Sequence, residues 1–289
     1  MALSADTLMT PDALHALLKQ DADTVKILDG SFSMPGTRPT ARDAFHDRHI
    51  PGAQFFDIDD AADKTSDLPH MMPSAKTFAY YVGSLGISSD DHVIIYGQDN
   101  VAMGPCRVLW MFHHFGHQNI SLLNASLDYW QKQYFPVNKG PAKAPENTKY
   151  HVYAGRDVFA DLPEMRQAVE NLTHVIVDAR PEDRFSGALP EPREGLRSGH
   201  MPGALNIPAG QLIDPETGGL LALSAINEIF NVQSILSTGK PVITSCGSGV
   251  TACVLSLGLN MAGRDDVKVY DGSWSEWGQE ELNTPVEPN

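Results

Sequence analysis

A short motif recurs in the chain, and its surroundings recur with it. Arg48-His-Ile-Pro-Gly-Ala53, leading to Phe55-Phe-Asp-Ile58, is echoed by Gly199-His-Met-Pro-Gly-Ala204, leading to Leu205-Asn-Ile-Pro208. Upstream of each copy lies an apolar run ending in an acid, Val25-Lys-Ile-Leu-Asp29 and Val175-Ile-Val-Asp178. Downstream comes a second apolar run, His92-Val-Ile-Ile-Tyr96 or Pro241-Val-Ile-Thr-Ser245. A helical stretch, a short strand and an aromatic end follow in each: Leu122-Leu-Asn-Ala-Ser126 to Trp130, and Val269-Tyr-Asp-Gly-Ser273 to Trp277. Self-similarity at this scale means that one structural unit has been built twice. Short, continuous apolar strands alternating with helices are the pattern of a parallel sheet covered on both faces, so the expected fold class is α/β.

The 289 residues suffice for two such units, each with its own core. Residues 137–149, rich in Pro, Lys, Asn and Ala without periodicity, read as a linker between domains at 1–136 and 150–289. A net charge of −15 opposes a nucleic-acid surface, which needs clustered Lys and Arg. The start of the chain lacks the basic head and apolar core of a secretory signal, and no apolar run is long enough to span a bilayer. It reads instead as a short helix with Thr10 as N-cap and Pro11 at its first position. Three cysteines, Cys106, Cys246 and Cys253, are too few for a disulfide framework or a paired zinc site. A reducing compartment, the cytoplasm, is expected, with no metal and no cofactor.

The two copies differ at one turn. After its second strand the first has Tyr96-Gly-Gln-Asp-Asn100, whereas the second has Cys246-Gly-Ser-Gly-Val-Thr251 ahead of a helix-like stretch from Ala252 to Met261. A turn between strand and helix aims backbone N–H groups and the positive end of a helix dipole at its contents. For a cysteine at its mouth the contents are a thiolate, and an environment that lowers its pKa makes it a nucleophile. Such an accessible thiol is also where oxidation would strike first.

This turn, with the tandem His-Ile/Met-Pro-Gly-Ala motif, resembles the rhodanese superfamily, and within it the branch of tandem-domain sulfurtransferases whose donor is 3-mercaptopyruvate. The resemblance extends over nearly the whole chain, through Phe56-Asp-Ile-Asp59, Leu68-Pro-His-Met-Met-Pro73, Arg184-Phe185, Glu191-Pro-Arg193 and Tyr270-Asp-Gly-Ser-Trp-Ser-Glu-Trp277. It implies two rhodanese-like domains, the second catalytic. Thiosulfate-specific relatives place Arg and Lys directly after the cysteine, where this chain has Gly247 and Ser248. Related phosphatases use a longer loop that closes with Arg, while here the turn runs six residues from Cys246 to Thr251 with no arginine following.

The resemblance further implies that Arg184 and Arg193 hold the donor's carboxylate and ketone, a task that suits the planar guanidinium fork. Cys246 would take the donor's sulfur as a persulfide, held by the backbone of Gly247, Ser248, Gly249, Val250 and Thr251 as in an oxyanion hole. Ser248, His70 and Asp59 match a hydrogen-bonded trio able to pass the proton between thiol and leaving group. Asp59 and His70 come from the first half, so the site is expected in the cleft between domains. Acceptors implied by the family are a thioredoxin-like protein, a small thiol or cyanide. A thiosulfate sulfurtransferase and a non-catalytic persulfide carrier remain as alternatives.

Other candidates read as structural. Cys253 is expected to be a packed core thiol and Cys106 an ordinary structural cysteine. His49 and His200 open equivalent Pro-Gly turns and suit hydrogen bonding within them. His113, His114 and His117 lack a metal-ligating companion and read as a solvated helix face. Trp274 and Trp277 are expected to close the core at the C-terminal end.

Overall fold

The structure, a computed structural model, describes residues 3–20 and 25–287. The first half forms a sheet from β1 (Leu8–Met9), β2 (Val25–Asp29), β3 (Gln54–Phe55), β4 (His92–Gly97) and β5 (Ile120–Ser126). Its counterpart in the second half uses β6 (Phe159–Ala160), β7 (Val175–Asp178), β8 (Leu205–Asn206), β9 (Val242–Ser245) and β10 (Val267–Tyr270). The strand orders, β1-β5-β4-β2-β3 and β6-β10-β9-β7-β8, are the same permutation, and each neighbouring pair is parallel. The central strands β4 and β9 are buried almost end to end because helices cover both faces, which is why they read as unbroken apolar runs. The tandem α/β architecture expected from the repeat is the one found.

The recurring histidines do the same work in both halves. His49 Nδ1 lies 2.9 Å from the Phe45 carbonyl with its ring stacked on Phe45, and His200 Nδ1 lies 3.0 Å from the Phe185 carbonyl with its ring stacked on Phe185. Each ties the Pro-Gly turn to the preceding helix, so these residues are structural. Thr10 caps the first helix, accepting a bond from the Ala13 N–H at 3.2 Å, and Pro11 begins it. Trp274 and Trp277 are fully buried, with their indole N–H groups donating to the carbonyls of Arg197 and Pro285.

The histidine cluster after Cys106 departs from expectation. Every residue from Pro105 to His113 is buried, because this helix packs against its own sheet on one side and against the helix Ala252–Met261 of the second half on the other. A helix buried all round has no solvated face. His113 and His117 are therefore interior, and His117 bonds the Tyr150 hydroxyl at 3.0 Å and the Asp91 carbonyl at 3.1 Å. Burial pushes the His113 pKa from 6.5 down to about 3 and lowers those of His114 and His117.

His113 stays neutral in the folded state while in the unfolded chain it takes up a proton below pH 6.5. Its contribution to stability is then complete above that pH and falls below it, by about 1.4 kcal/mol per pH unit, and the lowered pKa values of His114 and His117 act in the same direction. Denaturant midpoints measured from pH 6.5 to about 5, above most carboxylate titration, should show this slope. His113→Leu should flatten it, and an unchanged slope would contradict the assignment.

The two halves meet closely. A short excursion of the second half, bridged between Ile213 and Leu220, reaches onto the first sheet. Val101 N–H donates to the Gly218 carbonyl at 2.9 Å, Ser126 N–H to the Thr217 carbonyl at 2.7 Å, and Leu220 N–H to Asn124 Oδ1 at 2.6 Å. A Cβ on Gly219 would sit 2.3 Å from the Asn124 carbonyl oxygen, so only glycine permits this approach. The excursion seats against the turn after β4. Strand register equates that turn with the cysteine turn, since Tyr96 pairs with Asp29 as Ser245 pairs with Asp178. Gly97 thus stands where Cys246 does in the second half. A Cβ there would meet the Asn100 carbonyl oxygen at 2.3 Å, so the first turn is folded in on itself.

Candidate active site

Cys246 follows the last residue of β9, at the C-terminal edge of the second sheet, where open α/β sheets gather their ligands. Its backbone is fixed from the segment after β10: Cys246 N–H donates to Ser273 Oγ at 3.1 Å, and its carbonyl accepts from Trp274 N–H at 2.9 Å. Ser275 donates to the Gly247 carbonyl through both its N–H, at 2.8 Å, and its hydroxyl, at 2.7 Å. With its carbonyls tied back in this way, the turn leaves its amides free. None of the N–H groups from Gly247 to Thr251 finds an acceptor among the described residues. They stand at the N-terminus of the helix Ala252–Met261, which has no side-chain cap. Unpaired amides at a helix start form a cradle for an anion.

Cys246 was expected to be accessible, yet it is only 2 % exposed. It is reached through a cavity of about 610 Å³ between the halves, whose wall it forms together with Gly247, Ser248, Val250, Thr251, Arg184 and Arg193. From the first half come Phe32, Met34, Asn100, Ala102 and Met103. Gly249 is not in this wall. Its carbonyl faces inward, accepting from Arg107 Nη1 and the Cys253 thiol, its φ is +74°, and a Cβ would lie 2.7 Å from the Asp271 carbonyl oxygen. Glycine is required there for backbone reasons.

Both arginines converge on the turn. A Cβ at Gly247 would lie 3.1 Å from Arg184 Nη2 and 3.9 Å from Arg193 Nη1, so the guanidinium groups fill the space over this glycine. Arg184 is braced by Glu191, with Nε 3.3 Å from Oε1 and Nη2 bonded to Oε2. The side chain of Glu191 is buried and also takes a bond from Arg180 Nη1 at 2.7 Å, while Arg180 forks onto Asp178 and lies over the Trp274 ring. Arg193 is different. It makes no ion pair among the described residues, its one polar contact being Nη2 to Ser248 Oγ at 3.4 Å. Burial and the neighbouring Arg184 lower its pKa, while Cys246, Glu191 and Asp59 nearby favour its charge. A half-buried cation without a carboxylate partner is a receptor for an anion.

The trio closes in part. Asp59 Oδ1 lies 2.7 Å from His70 Nδ1, and this hydrogen bond holds the Asp59 carboxyl below its usual pKa. An ionised carboxylate on Nδ1 fixes the N–H there and leaves Nε2 as the acceptor. His70 Nε2 is buried without a partner, and Ser248 Oγ bonds Arg193 instead. Neither His70 nor Asp59 lines the cavity. Phe32, which does, packs edge-on against the His70 ring with centroids 4.8 Å apart. Cys253 donates its thiol to the Gly249 carbonyl at 3.3 Å, and burial raises its pKa to about 12. Cys106 is fully buried and its pKa is likewise raised by burial, so both are inert thiols.

Sequence reasoning passed over two features. Arg107, fully buried in the first half, donates to the Gly249 carbonyl at 3.2 Å. Its only signal was an arginine within an otherwise apolar helix. His70 has a φ of +62°, unusual for a residue with a side chain, and the sequence carries no mark of it. Among the described residues no group of three or more His, Cys, Asp or Glu side chains could hold a metal ion, and no helix is long and apolar enough to cross a membrane.

Comparison with known proteins identifies the family. The rhodanese-like domain family matches residues 10–133 and 161–280, one match on each sheet. The 3-mercaptopyruvate sulfurtransferase of Rattus norvegicus is 40% identical over 274 residues, covering 94% of this chain and 89% of the relative. The thiosulfate sulfurtransferase of Bos taurus is 39% identical over 255 residues, covering 88% and 84%. The crystal structure of SseA from Escherichia coli, one of the 3-mercaptopyruvate sulfotransferases, superposes with a TM-score of 0.81 at 34% identity, covering 93% of this chain and 99% of that one. With both halves matched and relatives of this identity spanning nearly its full length, the chain belongs to the rhodanese-like family, as a tandem-domain sulfurtransferase.

Proposed function

We propose that the protein transfers sulfur from 3-mercaptopyruvate to a thiol or cyanide through a persulfide on Cys246, releasing pyruvate. The observation that carries this reading is the unpaired Arg193 beside Arg184, both over the uncharged Gly247 next to the thiol. Two guanidinium groups at that spot suit a donor with a carboxylate and a carbonyl. Donors are not separated by overall likeness, since relatives named for mercaptopyruvate and for thiosulfate stand at 40% and 39% identity. The turn itself favours mercaptopyruvate, because it lacks the two cations expected after the cysteine in a thiosulfate enzyme.

In the first half-reaction Cys246 thiolate attacks the donor's sulfur. The new S–S bond forms as the donor's C–S bond breaks, and that electron pair leaves as pyruvate enolate. The donor's thiol proton passes to the Ser248 hydroxyl, which turns from Arg193 Nη2 toward the unpartnered His70 Nε2 to hand it on, and the proton returns by the same route to the enolate carbon, giving pyruvate. Asp59 keeps His70 in the accepting tautomer. The free amides from Gly247 to Thr251 stabilise the charge on sulfur before and after the transfer. In the second half-reaction an acceptor thiolate takes the outer sulfur and Cys246 leaves as thiolate. The rest of the cavity, walled by Phe32, Met34, Met103 and Ile213, has room for a small thiol or for the reactive tip of a thioredoxin-like protein. Three unpaired thiols fit a reducing compartment such as the cytoplasm.

The test compares 3-mercaptopyruvate with thiosulfate at matched concentration, with cyanide as acceptor. The proposal expects the larger kcat/KM for mercaptopyruvate, with pyruvate formed in step with thiocyanate. A larger value for thiosulfate would make the protein a rhodanese in the narrow sense. A chain that gains one sulfur atom in mass but forms no pyruvate would be a carrier.

A further inference from the structure

Arg107 and Asp271 come from different halves and form a fully interior ion pair, Nη2 to Oδ1 at 2.7 Å, with Arg107 0 % exposed and Asp271 6 %. A buried pair contributes little net stability, because desolvation offsets its attraction. What distinguishes this one is what else it grips. Arg107 Nη2 also donates to the His70 carbonyl at 2.6 Å, and Asp271 Oδ2 accepts from the Met72 N–H at 2.8 Å. The pair thus holds the backbone on both sides of the turn that carries His70. Arg107 Nη1 reaches the other way, to the Gly249 carbonyl in the cysteine turn at 3.2 Å, and the guanidinium lies 4.9 Å over the Phe159 ring. His70 sits at a φ of +62°, a conformation that persists only where its surroundings over-determine it.

We infer that the Arg107–Asp271 pair is the positioning device of the sulfur-transfer site, setting the His70 turn of one half in register with the cysteine turn of the other. Neither residue lines the cavity, so neither touches donor or acceptor. One planar guanidinium bonds the two turns and the carboxylate together. Lysine carries the charge but cannot bridge three acceptors in one plane. The inference rests on the proposed sulfur transfer, and its test includes a readout independent of the donor.

Two variants are informative. Arg107→Lys keeps the charge and loses the fork. Arg107→Met combined with Asp271→Leu removes the pair without stranding a buried charge, a replacement that folded proteins commonly tolerate. In each, kcat for pyruvate formation is expected to fall about 10- to 100-fold, the scale of a misplacement near 1 Å. KM for 3-mercaptopyruvate should stay within about threefold, because the groups proposed to hold the donor are untouched. Alkylation of Cys246 by iodoacetamide at one fixed pH, followed by mass spectrometry, should slow in both variants, since the turn has lost its Gly249 anchor. Folded variants with the kcat and alkylation rate of the parent would overturn the inference. So would a KM that rises in step with the loss of kcat, or the failure of both variants to fold, which would assign the pair to stability alone. If the parent itself releases no pyruvate, the donor assignment fails, and the alkylation comparison still judges the pair.

Discussion

Cys246→Ser is expected to abolish pyruvate release from 3-mercaptopyruvate, by about four orders of magnitude or more, the scale on which a covalent mechanism loses its nucleophile. The reason is the bond to be made. A persulfide needs sulfur at the attacking position, and a serine hydroxyl among the same amides stays protonated at neutral pH and has no S–S bond to form. The fold should not register the change. Cys246 is held by its backbone, through Ser273 Oγ and Trp274 N–H, and the substitution alters one atom of a side chain that lines a cavity. Stability should shift by no more than about 1 kcal/mol. Coupled detection of pyruvate, with mass spectrometry of the donor-treated protein, reads both half-reactions: the parent gains one sulfur atom and the variant none. Normal turnover by the variant would sink the mechanism.

Arg193→Ala should follow in size, lowering kcat/KM for 3-mercaptopyruvate about 10- to 100-fold, the worth of a hydrogen bond to a charged group at roughly 1.5–3 kcal/mol. Most of the loss should fall on KM. Arg184→Ala removes the neighbouring guanidinium but also strands the buried side chain of Glu191, which keeps only its bond to Arg180. Its activity loss should therefore come with a lower melting temperature, whereas Arg193, which has no carboxylate partner of its own, should leave the melting temperature nearly unchanged. Arg193→Lys should recover part of the affinity through charge alone. With thiosulfate as donor the losses should be smaller. Equal losses on both donors would mean that these arginines supply a general positive field and do not grip the carboxylate.

Much of this was legible in the chain because the repeat is long and its signals are local. Two matching sets of apolar runs give parallel strands in matching order, and a cysteine between a strand and a helix gives a turn with free amides. Arg184 and Arg193 were legible only through resemblance, since nothing in their spacing says that both side chains fold back over Gly247. Burial was read less well. His113, His114 and His117 look like a wet face because histidine is polar, but the helix beneath them is clamped between two halves that the chain does not show to be in contact. For the same reason Cys246 was judged accessible: the walls that enclose it, Phe32, Met34 and Met103, lie more than a hundred residues away. His70 illustrates another limit. Its ring bonds Asp59 as expected, yet its left-handed backbone and its unpartnered Nε2 are set by tertiary contacts.

The collapsed turn at Gly97 limits the molecule to one such site. A single codon change could write a cysteine there, but its Cβ would collide with the Asn100 carbonyl, and the excursion around Gly218 and Gly219 already occupies the approach. Clearing that approach would pull away Ile213, and reopening the turn would displace Asn100, Ala102 and Met103, all walls of the working cavity. Building a second site would thus dismantle the first. The duplicated fold is therefore asymmetric by necessity: one copy serves as the other's wall, and the molecule has room for one sulfur site.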